Sequence, residues 1–500
     1  MNTKPNAPVL AARHISKRFG GVQALDDVTL EVMAGDVHCL AGENGCGKST
    51  LIKIISGVET PDRGEIEIAG TIYSRLRPRA AILAGVQVIY QDFSLFPNLS
   101  VAENVALTSL IAHGSKLVDP KDLRSRAAAV IADLGVNLDI DANVEDLTVA
   151  ERQLTAICRA LAEDARVIFM DEPTSALTRP EVRALFRVVE TLQERGVAMV
   201  FVSHKLDEVL EISQHVSVVR NGRIVATGPV ADFNHASLGR AMTGRDIRED
   251  RDVPTFDNNS TPVLEVQGLG LEDLFEDVTF DLKPGEILGI TGLLGSGRSE
   301  IAEALFGVTP ATQGSISIDG SPVEIHDVDD AVRAGIGYVP SDRLTQGLFL
   351  DQSIADNVVA GSLDLHRTAS GLLDRAHLRR TIDTFFTALR IQAASVQAPI
   401  RSLSGGNQQR VVLAKWLARG PRVLILNSPT MGVDVGSKEE ILNILRKEAR
   451  AGKGIIVISD DVRELVSVCH RVLVVRRGRV HSVLKGDSVT EHSIADGLTA

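Results

Sequence analysis

The chain is poor in cysteine: Cys39, Cys46, Cys158 and Cys469 are the only four in 500 residues, and no pair has metal-knuckle spacing. That excludes a zinc ribbon and a disulfide-stapled fold and points to a reducing compartment. Long apolar runs are missing. Stretches such as "VAMVFV" at 197–202 fall far short of the roughly 20 residues that span a bilayer. The opening "MNTKPNAPVLAARH" has no apolar core of a secretory signal, so any membrane contact is expected to come through partners. A basic surplus is missing too: the formal net charge is −12, which argues against a nucleic-acid groove as the main surface. What remains, 44% hydrophobic and 24% charged residues, is an ordinary globular composition with length for two or more domains.

The chain repeats itself. "GENGCGKST" (42–50) returns as "GLLGSGRSE" (292–300), an offset of 250. "LTVAERQ" (147–153) returns as "LSGGNQQ" (403–409), and "VSHKLDEV" (202–209) as "ISDDVREL" (458–465), both at 256. "VIFMDEPT" (167–174) returns with two carboxylates lost, as "LILNSPT" (424–430). A duplicated unit this long is a domain pair, not a short-period solenoid. The polar, acidic stretch "GRDIREDRDVPTFDNNSTP" (244–262) has neither helical nor strand periodicity and reads as a linker. The expected domains are therefore 1–243 and 263–500. Within each copy, β-branched runs such as "VHCLAG", "ARVIFMDEPT" and "GVAMVFVSH" alternate with helical patterns such as "STLIKIISG". Buried strands alternating with helices predict an α/β fold with a parallel sheet covered on both faces.

The first copy carries a complete phosphate loop, G-x-x-x-x-G-K-[ST], at Gly42 to Ser49. Backbone N–H groups of Gly42, Glu43, Asn44, Gly45, Cys46 and Gly47, continuing into Thr50, are expected to wrap the phosphates of a nucleotide. Lys48 would bridge the β- and γ-phosphates and the Ser49 hydroxyl would hold Mg2+. Asp171, ending a buried strand, suits the surroundings of that magnesium, and Glu172 is placed to orient or deprotonate the attacking water. Gln91 in "VIYQD" is a candidate for the metal or the water, and His204 for the γ-phosphate. A solvated loop glutamine and a structural histidine are the plainer readings of those two. Phe19 fits adenine stacking or a core place. Cys46 fits a small filler of the loop or a thiol whose pKa is lowered by the helix N-terminus.

In order, the phosphate loop, Gln91, a worn signature, "VIFMDEPT" and His204 resemble an ABC ATPase nucleotide-binding domain. "LSGGNQQRVVLAKWLARGPRVLIL" (403–426) and "PTMGVDVGSKEEI" (429–441) narrow this. They closely resemble the second half of the tandem ATP-binding subunits of bacterial monosaccharide importers, which serve ribose, xylose, arabinose, galactose and related solutes. The resemblance implies two tandem P-loop domains, each with a mainly parallel sheet, an antiparallel β subdomain and a helical subdomain. It implies ATP hydrolysis with Mg2+ on the cytoplasmic face of the inner membrane. The implied partners are two membrane permease subunits and an extracytoplasmic solute-binding protein, with no nucleic acid. Rival readings are a soluble tandem ABC ATPase, or an importer of a polyol, a nucleoside or a furanosyl signalling molecule. The cargo is not legible, because such a subunit does not touch the solute.

In ABC ATPases one domain's phosphate loop is covered by the other's signature, so the motifs sort by composite site. One set combines Lys48, Ser49, Gln91, Asp171, Glu172 and His204 with Ser404, Gly405, Gly406 and Asn407; every part is intact. The other combines Gly292, Gly297, Arg298, Ser299, Ser341, Asn427, Ser428 and Asp460 with Val149 and Ala150 in place of the signature glycines. There Arg replaces Lys, two carboxylates become neutral, and Asp460 brings a negative charge where a γ-phosphate would sit. All losses fall in one set, so one competent site per chain is expected. "QDFSLFPNLSVAENV" (91–105) and its counterpart "SDRLTQGLFLDQSIADNV" (341–358), with Phe93, Leu95 and Phe96 expected on the surface, suit either a groove for a permease helix or a plain core contact.

Overall fold

The computed structural model describes residues 7–112, 119–162, 164–174, 177, 179–244 and 252–499. The chain divides after residue 247 into two compact units. In the first, a six-stranded sheet runs in the order Arg223–Pro229, His215–Arg220, Val37–Ala41, Ala198–Ser203, Val167–Asp171, Val86–Ile89. All its pairings are parallel except that of the outermost Arg223–Pro229. A second sheet, Val22–Val32, Leu10–Phe19, Arg63–Ile68 and Thr71–Tyr73, is antiparallel throughout. Helices Val101–Ala112, Pro120–Leu134 and Val149–Leu161 form the helical part. The second unit repeats this plan. Its strands Arg479–Lys485, Arg471–Arg476, Ile287–Gly292, Gly454–Ile458, Val423–Asn427 and Ile336–Val339 follow the same order, beside an antiparallel sheet built on Leu264–Leu271. The α/β reading, with antiparallel and helical additions, is what the structure shows.

The apolar strand runs are explained by burial on both sheet faces. In the second unit, Leu424, Leu426, Ile455 and Val457 point into a core shared with the helices Ile354–Val359 and Gly405–Arg419. Their alternates, Val423, Ile425, Ile456 and Ile458, point into the core under the antiparallel sheet. A strand with both faces dry needs an apolar residue at every position, so the period of two disappears from the sequence. Residues 252–260 hold neither helix nor strand and are tied to the second unit. Arg446 Nε donates to Asp252 O at 3.0 Å, Lys283 Nζ to Ser260 O at 2.8 Å, and Phe256 packs edge-on against His470. Among the described residues no helix is long and apolar enough to cross a membrane.

One buried carboxyl separates the two units. Glu208 of the first takes the Thr174 hydroxyl at 2.6 Å and lies 2.9 Å from the Lys205 ammonium. Its counterpart Glu464 takes the Ser459 hydroxyl at 2.6 Å. The lysine position has become Asp461, which pairs with Lys438 instead. Burial therefore pushes the Glu464 carboxyl up to about 7. The unfolded chain releases this proton near pH ~4 and the folded chain holds it to about 7, so its contribution to stability is full in acid and lost as pH rises through 7. Glu464→Gln is expected to leave urea stability nearly unchanged at pH 5 and to raise it by about 2–3 kcal/mol at pH 8. Equal effects at both pH values would contradict the buried neutral acid.

Candidate nucleotide site

The strand Val37–Ala41 is buried along its whole length and runs into the phosphate loop, which hands over to the helix Lys48–Ile55. Gly47 sits at φ 113°, and a Cβ there would lie 2.6 Å from Ala24 O, so the last turn of the loop admits only glycine. The helix start has no side-chain cap and no acidic residue in its first turn, which leaves its amides for an anion. Lys48 is buried, and its ammonium donates to Gly42 O at 2.7 Å and Glu43 O at 2.8 Å. The loop's own carbonyls thus aim the charge across its mouth. Cys46 is buried, with Sγ 3.8 Å from Lys48 Nζ. Burial pushes its thiol up despite the lysine, so Cys46 is a filler and not the activated thiol that a helix N-terminus would give.

Beside the loop lies a cavity of about 510 Å³ lined by Ser49, Ile52, Lys53, Tyr90, Gln91, Asp92, Ser94 and Asp171. Ser49, Gln91 and Asp171 come from three separated segments, and the sheet order brings them together because Val86–Ile89 and Val167–Asp171 are neighbours. An oxygen-rich set of this kind suits a hard divalent cation. Burial raises the Asp171 carboxyl and the adjacent Glu172 adds to the shift, while Lys48 opposes it. Glu172 adopts φ 48°, left-handed for a non-glycine residue, and its N–H donates to Val202 O at 3.0 Å. That turn sets its side chain beside His204, whose Nδ1 lies 2.8 Å from Glu172 Oε1. Burial alone would raise Glu172, but His204, Lys48 and Lys205 outweigh it and hold the carboxyl below its usual range, ionised. Phe19 is 45% exposed under Lys17, 5.1 Å from the ring centre, which rules out the core reading.

The ABC transporter family model matches residues 25–175 and 275–431, the stretches that carry these loops and strand ends. The chain belongs to the ABC transporter family. It is 42% identical over 496 residues to a ribose import ATP-binding protein of Streptomyces avermitilis, covering 99% of this chain and 97% of that one. A putative ribose/galactose/methyl galactoside import ATP-binding protein of Ralstonia nicotianae is 42% identical over 479 residues, 95% of this chain and 92% of the relative. A solved nucleotide-free ATP-binding cassette from an ABC transporter is 28% identical, covering 44% of this chain and 91% of its own, with a TM-score of 0.40.

The second ABC cassette keeps the backbone of the first and changes its chemistry. Gly297 at φ 94° opens the helix Arg298–Leu305, and Arg298 Nη1 donates to Gly292 O at 2.8 Å, as Lys48 does to Gly42. The other guanidinium nitrogen lies 3.7 Å from the Asp460 carboxylate. Ser428 repeats the left-handed turn of Glu172, with φ 51° and its N–H on Ile458 O at 2.8 Å, but presents a hydroxyl. Asn427 is buried, and its amide donates to the Tyr338 hydroxyl at 3.4 Å. Tyr338 packs on Phe306, and Phe306 on Trp416. Those three aromatics replace Val88, Ser56 and Ala160 of the first cassette, so the polar strand end has become part of a core cluster.

The two signature helices differ in a way that sequence reading had missed. Gly405–Arg419 follows Ser404 with no side-chain cap and no acid in its first turn. Asn407 bridges the turn, donating to Ser404 Oγ at 3.0 Å and accepting from Gln392 N at 2.8 Å. Val149–Leu161 instead begins with a capping box in which the Glu151 carboxylate accepts the Thr148 N–H at 2.8 Å. That hydrogen bond holds Glu151 below its usual range. The T-x-x-E spacing was the available signal. Arg343, on a π-helical turn, was legible in nothing: its guanidinium donates to Met431 O at 2.8 Å and Gly432 O at 3.4 Å, beside the start of the signature helix. In the 91–105 segment, Phe96 is exposed as expected, whereas Phe93 and Leu95 are half-buried. Buried Asn104 presents Phe96 by hydrogen bonds to both its N–H and C=O, and Asn357 does the same for exposed Phe349. At Gly406 a Cβ would lie 2.2 Å from Ser437 Oγ. Gly406→Ala is therefore expected to destabilise the chain by about 1–3 kcal/mol in urea unfolding, with no nucleotide present.

Proposed function

We propose that this chain is the ATP-hydrolysing subunit of a bacterial sugar importer with one hydrolytic site. The supporting observation for the chemistry is the convergence of Ser49, Gln91, Asp171, ionised Glu172 and His204 around the first phosphate loop. The support for the cargo class is likeness to sugar-import ATP-binding proteins over both cassettes. Backbone amides of 42–50 hold the phosphates, and Lys48 neutralises charge at the β- and γ-positions. Mg2+, held by Ser49 and Gln91 with Asp171 behind it, would supply further neutralisation of the phosphates. Glu172 accepts hydrogen-bond and proton from the attacking water as the water oxygen bonds to phosphorus and ADP leaves. His204 positions that carboxylate and keeps it ionised. Ser404, Gly405, Gly406 and Asn407, on an uncapped helix free of acids, are the groups suited to cover the γ-phosphate.

The chain would sit on the cytoplasmic face of the inner membrane against two permease subunits, with Phe96 and Phe349 as apolar contacts, and with a solute-binding protein outside. The test is steady-state hydrolysis by the purified chain, followed by uptake of labelled pentoses, hexoses and polyols. Glu172→Gln should cut hydrolysis by about 10²-fold or more and bring uptake of one sugar to background. A variant that retains half the native rate would mean that the second cassette also turns over.

A further inference from the structure

The second phosphate loop is not a ruin. Its glycines, its helix and the Arg298 anchor on Gly292 O are those of a working cradle. The Ser296 hydroxyl lies buried inside it, against Gly292, with no hydrogen-bond partner. What has changed lies at the far end. In such loops the backbone amides take the α- and β-phosphates and the basic side chain reaches the β- and γ-phosphates. Here the basic side chain is already met by Asp460, 3.7 Å away. A third phosphate would have to displace that carboxylate or sit against it. Glu300, in the first helical turn, adds to the negative field. A cation that could relieve the repulsion is poorly provided for: Ser299 remains, but Ser341 stands in place of Gln91, and the position behind the metal is the neutral Asn427, whose amide N–H is donated to Tyr338.

We propose that this loop is a nucleoside-diphosphate site, taking ADP in preference to ATP and requiring no divalent cation. The inference rests on the reading of the chain as an ABC ATPase with one hydrolytic site, and it assigns the other loop a ligand of its own. Two phosphates satisfy the amides and Arg298 without entering the space that Asp460 commands. Asp460 is then the specificity-determining residue: its counterpart His204 can donate to a third phosphate where a carboxylate repels it.

The test is equilibrium binding of N-methylanthraniloyl ADP and ATP, in EDTA, to the full chain carrying Lys48→Ala to weaken the first loop. The expected result is one saturable diphosphate site, with the triphosphate at least about tenfold weaker, a gap of about 1.4 kcal/mol. Arg298→Ala should remove that binding, and Asp460→His should erase the preference. In the native chain, photolabelling by 8-azido-ADP in EDTA should map by peptide sequencing to the second half; this arm stands even if Lys48→Ala folds poorly. Triphosphate binding as tight as diphosphate, survival of binding in Arg298→Ala, or label confined to the first half would overturn the proposal. Magnesium-dependent hydrolysis by the native chain is read separately. Its presence with an empty second loop sinks this inference alone, and its absence sinks the parent reading.

Discussion

A helix start that is to hold phosphate must leave its amides unsatisfied, and every nearby carboxylate of the protein competes for them. The partial charge of an N-terminal turn and its free N–H groups form an anion site whether or not the anion is a ligand. The helices Lys48–Ile55 and Gly405–Arg419 have no side-chain cap and no acid in the first turn. At the helix Val149–Leu161, Glu151 takes the Thr148 N–H and the Thr148 hydroxyl takes the Glu151 N–H, and at the second phosphate loop Arg298 is met by Asp460. The helix starts of the two cassettes thus differ in where the chain's own carboxylates lie.

The backbone is far more conservative than the chemistry. Glu172 and Ser428 share a left-handed turn and a hydrogen bond to the adjacent strand, although one side chain is a carboxylate and the other a hydroxyl. A strained turn of this kind persists only where the surrounding sheet over-determines it. In both units the neighbouring strand supplies that constraint through Val202 O and Ile458 O. The second strand end holds no carboxylate to desolvate, and its buried Asn427 lies against an aromatic cluster, donating to Tyr338. In the first unit the same position stays hydrophilic because Asp171 borders an open cavity.

Electrostatic partners, more than positions, separate the two cassettes. Glu172 is held ionised because His204 offsets its burial, whereas burial, with Asp461 alongside, pushes the Glu464 carboxyl up to about 7. A motif names a side chain, but the proton on it is decided by what the fold packs alongside.

The sequence by itself determined the duplication, the α/β class and the intact phosphate loop, because these are local patterns or fixed offsets. Phosphate binding needs glycines and a lysine within nine residues, so it can be read in a line. Only the tertiary structure decided the rest. It settled Phe19 on the surface, Cys46 as a filler, and Phe93 and Leu95 as half-buried. It brought Glu172 to His204 across 32 positions, Asn427 to Tyr338 across 89 and Arg343 to Met431 across 88. Those pairings depend on strand order and on left-handed turns, which no window of sequence carries, since what sets a buried group's charge and direction is its neighbours in space.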